Sequence, residues 1–185
     1  MKRTTRLAAA LVAAAALAAP AASAAAQAAP APAVKGQAKQ LLKDIAGKDA
    51  RLARLATSDA VTRLADDTEA ELVANIGDAR AALGEVRTSV EAADSTVDTR
   101  AVRKELRGFR VENFRIVATI LAKAERLEDA AAADAVAAEH LAAAEAAALA
   151  ITADSTKADI RAARTHLQDA QAELDGDDTT DDATS

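Results

Sequence analysis

Between residues 35 and 174 the chain runs 140 positions without a proline, and its commonest residue is alanine, 57 of 185. Proline breaks helices by removing a hydrogen bond and clashing with the preceding turn, whereas alanine has the highest helix propensity of any residue. A stretch this long, filled with Ala, Leu, Arg and Glu, predicts an all-α fold. The chain has no Cys, no Trp, no Tyr and two Phe. Disulfide frameworks and thiolate-bound zinc or iron–sulfur centres are thereby excluded. A β-sandwich lacks the aromatic and β-branched residues it needs, and no aromatic platform exists for stacking single-stranded nucleic acid.

The first residues have the order of a secretory signal. Lys2, Arg3 and Arg6 form a basic start, Leu7 to Ala19 is apolar, Pro20 interrupts it, and Ala22-Ser23-Ala24 is a small-residue cleavage site. The apolar run is about 13 residues, short of the ~20 that span a bilayer. Residues 1–28 are therefore expected to be a cleaved signal peptide, with alternative cuts between Ala24 and Ala29. The arginines make no twin pair and no Cys follows, so the general secretory route without a lipid anchor is expected. The protein then belongs outside the cell or in the extracytoplasmic envelope. Residues 29–34, holding Pro30 and Pro32, read as a Pro/Ala linker. Residues 35–174 read as the helical domain, and residues 175–185 as a disordered acidic tail begun by a helix stop at Gly176. The spaced Asp residues of that tail lack the central Gly and closing Glu of a calcium loop.

From residue 29 onward there are 20 basic and 29 acidic groups, a net charge of −9, and 32 large apolar residues. So thin a supply of core suits helices packed along narrow seams: an elongated antiparallel helical bundle or coiled-coil hairpin. The clearest seam is Leu72, Ile76, Ala79, Leu83, Val86, Val90, Ala93 and Val97, whose alternating steps of four and three keep one helical face apolar. Leu41, Ile45, Leu52 and Leu55 share a face of an earlier helix bounded by Thr57-Ser58-Asp59. A further helix is expected from Asp98 or Thr99, carrying Val102, Leu106, Phe109, Val117, Ile120, Ala124 and Leu127 on one side. Asp134 falls on that seam and predicts a helix break or a shift of the buried face. The last helix carries Ile160, Ala163, Leu167, Gln171 and Leu174. A short internal repeat relates Ala93-Asp94-Ser95-Thr96 to Ala153-Asp154-Ser155-Thr156, and Arg100, Arg103 and Leu106 to Arg161, Arg164 and Leu167. Each copy reads as a turn followed by a helix start.

The chain carries little that resembles catalytic machinery. His140 and His166 are the only histidines, neither forms a metal-ligand pair at helical spacing, and both read as solvated imidazoles. No nucleophile elbow or phosphate loop is present, and the acidic residues form no distinct acid–base pair. No enzyme, cofactor or metal is expected. One charge feature stands out: residues 100–115 hold six basic and two acidic groups. Arg103, Arg107 and Arg110 lie on one helical stripe there. Salt bridges to an acidic helix, such as the one opened by Asp66, Asp67, Glu69 and Glu71, are the first expectation. Contact with an anionic partner is the second, and an acidic, exported chain argues against nucleic acid. The composition thus points to a non-catalytic secreted or envelope protein working through protein–protein or envelope contacts, with self-association along helix seams as one route. The alternative is a lipid- or anionic-polymer-binding module using amphipathic faces and the basic segment 100–115.

The leader, the alanine-rich helices and the segment Leu106-Arg107-Gly108-Phe109-Arg110-Val111-Glu112-Asn113-Phe114-Arg115-Ile116-Val117 together resemble a loose group of secreted, alanine-rich helical proteins of actinobacteria that has no assigned activity. The specific likeness covers residues 95–130. Glu112 stands after Val111, and the Pro–Lys pair of that group is absent. The resemblance implies an exported, helical architecture and carries over no site residue.

Overall fold

The computed structural model describes residues 32–177. The expected signal peptide, half of the expected linker and most of the expected acidic tail lie outside the described residues. Those that are described form an all-α bundle of six helices: α1 (Pro32–Ala56), α2 (Asp66–Ala92), α3 (Thr96–Gly108), α4 (Glu112–Ala131), α5 (Ala135–Leu149) and α6 (Lys157–Asp177). Helices α1, α2 and α3 pack on one another, α4, α5 and α6 do the same, and α2 joins the two groups through contacts with α4 and α5. One hydrophobic core runs through both. No helix among the described residues is long and apolar enough to cross a membrane.

The ends of the domain differ from expectation at both sides. Pro32 opens α1 instead of ending a linker, because the first helical position has no partner for the missing N–H. The start is anchored by Val34, which is buried. At the other end Gly176 lies inside α6, which continues to Asp177. Gly176 has no left-handed φ, so it does not serve as the expected helix stop.

The seam of α2 is buried at Leu72, Ile76, Ala79, Leu83, Val86 and Val90. It stops there: the helix ends at Ala92, and Val97, its expected last member, is 69% exposed. Helix α1 ends at Ala56, where Thr57-Ser58-Asp59 suggested a boundary. The segment to residue 65 is a series of turns that buries Val61 and Leu64. Ser95 then caps α3 two residues earlier than anticipated, in a reciprocal capping box with Asp98. A related cap recurs 61 residues on, where the Thr156 hydroxyl accepts from the Ala158 N–H at 3.2 Å. The Thr156 backbone N–H and hydroxyl both donate to the Asp159 carboxylate, at 2.7 and 3.0 Å, in front of α6. The internal repeat thus marks the third helix of each three-helix group.

The long helix expected over residues 98–127 is divided in two. Helix α3 stops at Gly108, and α4 starts at Glu112. The interruption is held by the α5–α6 loop. The Arg110 N–H donates to the Ala153 carbonyl at 2.8 Å, and the buried Asn113 amide donates to the Thr152 and Ser155 carbonyls at 2.8 and 3.1 Å. These bonds satisfy loop carbonyls that would otherwise be orphaned, and the break lets Phe109, Val111 and Phe114 all turn inward. Asp134 does interrupt the chain, as the N-cap of α5, accepting from the Val136 and Ala137 N–H groups.

Helices α5 and α6 form the most extensively packed pair. Their facing residues are Ala137, Leu141, Ala144 and Ala148 on one side and Ile160, Ala163, Leu167 and Ala170 on the other, all buried. Gln171, expected on this face, is exposed. Alanine at five of these eight places lets the backbones approach closely, so a segment with few large apolar groups still packs.

Beside this pair, burial raises the pKa of Glu145 above its ordinary value, and the charges of Glu128 and Glu125 push it the same way. The native state therefore binds this proton more tightly than the unfolded chain. The associated stability is fully present below the unfolded value of 4.5 and is lost as the pH rises through the native one. Glu145→Gln is expected to raise the melting temperature at pH 7 by an amount worth under about 1 kcal/mol, and to give no gain near pH 4. Paired melting curves at the two pH values check this.

A candidate basic groove between α1 and α3

Helix α3 packs on α1, with the buried Thr99 hydroxyl donating to Gln37 at 2.8 Å. Between the two helices is an open groove of about 580 Å³. Its floor includes Leu41 and Leu106, and its walls carry Lys43, Lys48 and Arg51 from α1 and Arg103 and Arg107 from α3, with Asp44 the single acid. The helical period explains the arrangement: Lys48 follows Asp44 and precedes Arg51 on one flank of α1, and Arg103 and Arg107 are four apart on α3.

The salt bridges expected of Arg103, Arg107 and Arg110 are not formed; none of the three pairs with an acid among the described residues. The reason is placement. The acidic start of α2 lies by α4, where the Glu125 carboxylate accepts from the Ala65 N–H at 2.8 Å. Helix α3 begins at the other end of α2. Among the described residues only Arg51 of the groove cations forms a salt bridge, to Glu112 at 3.2 Å. The three-residue stripe is also shortened, because α3 ends before Arg110. Arg103 and Arg107 line the groove, while Arg110 sits at the α3–α4 junction.

Lys48 was not singled out by sequence, since an isolated lysine on a helix reads as solvated. It reaches across to α3, donates to the Phe109 carbonyl at 2.5 Å, and lies 5.8 Å from the centre of the Phe109 ring. This places a cation at the C-terminal end of α3, where the helix dipole favours one. Burial lowers the pKa of its ammonium, the Arg51 charge adds to that effect, and Glu112 and Asp44 oppose it.

The same position in the second three-helix group is also a cationic groove. Between α4 and α6, a cleft of about 310 Å³ is lined by Arg115, Lys123 and Arg164 with no acidic residue in its wall. By the 61-residue repeat, Arg164 and Leu167 correspond to Arg103 and Leu106. A chain with net charge −6 thus gathers positive charge in two equivalent clefts. The cations gathered in both linings are of the kind that pairs with oxyanions.

The structure corrects the reading of the two histidines as isolated, solvated groups. His140 and His166 are half-buried, with ring centroids 6.4 Å apart across α5 and α6. No protein-family model, curated protein or solved structure matches the chain, so its role is argued from the chemistry of these sites.

Proposed function

We propose that the chain is a non-catalytic binding module of the cell exterior or envelope that holds an anionic polymer in the groove between α1 and α3. The observation that carries this reading is the lining of that groove: five cations against one acid, four of the cations in no salt bridge among the described residues. Arginine presents a planar fork of donors suited to phosphate and carboxylate oxygens, and a cleft of one sign concentrates its field on an incoming anion. The second cationic cleft supports a ligand with repeating charge. The exported location rests on the order of residues 2–24, and N-terminal sequencing of the extracellular protein tests it: a first residue between Ala25 and Ala29 is expected.

The binding test uses fluorescently labelled polyphosphate and polyglutamate, titrated with wild type and with Arg103→Gln, Arg107→Gln. The variant is expected to bind at least about tenfold more weakly, with a shallower salt dependence, since each exposed charge contact is strongly screened. Its melting temperature is expected to be level or slightly raised, because unpaired like charges are removed. Preference between the two polymers identifies the oxyanion. Equal binding by variant and wild type would place the ligand elsewhere.

A further inference from the structure

His140, His166 and Asp169 stand together on the most extensively packed helix pair of the fold. His140 lies nine residues before the end of α5 and His166 nine after the start of α6, so the antiparallel turn brings them level. Each has the same relation to the alanine seam: His140 is three after Ala137 and four before Ala144, and His166 is three after Ala163 and four before Ala170. The alanines draw the backbones together, and the two imidazoles meet at the flank of the seam. Asp169 follows His166 by three residues and shares its face.

All three side chains are half-buried, and one potential ligand atom from each lies within 4.8 Å of the other two. His166 Nδ1 is sealed from solvent without a hydrogen-bond partner. A buried imidazole nitrogen left in this state is costly, and native structures usually give such an atom a partner. Two imidazoles and one carboxylate are a ligand set typical of zinc, which takes nitrogen ligands at about 2.0–2.1 Å and carboxylate oxygen at similar range. Tetrahedral placement sets those atoms roughly 3.4 Å apart, a contraction that small side-chain rotations supply. The set does not suit magnesium or calcium, which select oxygen ligands.

We propose that His140, His166 and Asp169 form a binding site for a divalent transition-metal ion of the Zn²⁺ class, bridging α5 and α6. With three protein ligands the fourth position is open to water or to an oxyanion. Bound metal would lock the second three-helix group. The proposal does not depend on the groove between α1 and α3.

The test is a ZnCl₂ titration of the full chain, prepared without a polyhistidine tag and stripped with EDTA, followed by imidazole ¹H–¹⁵N spectra. The chain has only two histidines, so each signal is assignable. Both imidazoles are expected to shift together and saturate at one equivalent, with a dissociation constant below roughly 10 µM. His140→Gln and Asp169→Asn are each expected to weaken binding at least about tenfold at unchanged helicity, and MgCl₂ to leave the imidazoles unmoved. Asp169→Asn keeps the test valid if the histidine variant fails to fold. The proposal is overturned by saturation only at millimolar zinc, by separate titration of the two rings, by an equal response to Mg²⁺, or by an Asp169→Asn variant that retains full affinity.

Discussion

Leu83→Ala is expected to destabilise the fold by about 2–5 kcal/mol, the range for removing a large aliphatic side chain from a packed interior. Leu83 is 1% exposed in the middle of the α2 seam, between Ala79 and Val86, and Ile76 one heptad earlier is equally buried. The truncation removes transfer free energy and leaves a void, because the helices packed against α2 are fixed by their own packing. For a domain of this size that corresponds to a melting temperature lower by roughly 5–20 °C. Ile76→Ala should behave alike. The control is on the same sequence pattern: Val97→Ala, at the exposed end of the expected seam, should change stability by less than about 0.5 kcal/mol. Thermal melts followed by circular dichroism at 222 nm compare all three. An unchanged midpoint in Leu83→Ala would mean that α2 presents this face to solvent.

Ala144→Leu should destabilise by about 1–3 kcal/mol or more, although leucine adds apolar surface and keeps helix propensity. Ala144 is fully buried on α5 where it meets α4 and α6. The flanking places on the seam include Ala137 and Ala148, and the facing helix offers Ala163 and Ala170, all at 0% exposure. No space remains for a branched side chain in interiors packed at crystal-like density, so the helices must separate. Ala142→Leu, at an exposed place on the same helix, is the matched control and should be near neutral. The sign separates the two kinds of helix packing in this protein. The α2 seam depends on large side chains that fill space, and the α5–α6 seam on small ones that leave none to fill.

Much of this architecture is legible in the sequence, where local spacing carries it. The steps of four and three from Leu72 to Val90 fix which face of α2 is buried, irrespective of what lies opposite. The interruption at Asp134 follows from a charged residue falling on the seam carried forward from Ile120 and Leu127. The paired turns at residues 93–96 and 153–156 are local as well: a capping box forms at Ser95, and Asp159 accepts from Thr156 in front of α6.

The tertiary structure decided what depends on distant parts of the chain. The break between α3 and α4 has no proline; it exists because Arg110 and Asn113 bind carbonyls some 40 residues later, a gain that no periodicity encodes. The unpaired state of Arg103 and Arg107 likewise depends on which end of α2 they face. Their charge is visible in the sequence, but the position of the acids that would neutralise it is not. His140 and His166 stand 26 positions apart and share no helical face. Their equal spacing from the α5–α6 turn is a signal in the sequence, but it has meaning only once the two helices are known to form a hairpin. Helical period and capping act over one or two turns, so they determined the elements. Which charged and metal-ligating groups meet is set by the order in which the helices pack, and that order follows from burying the whole core at once.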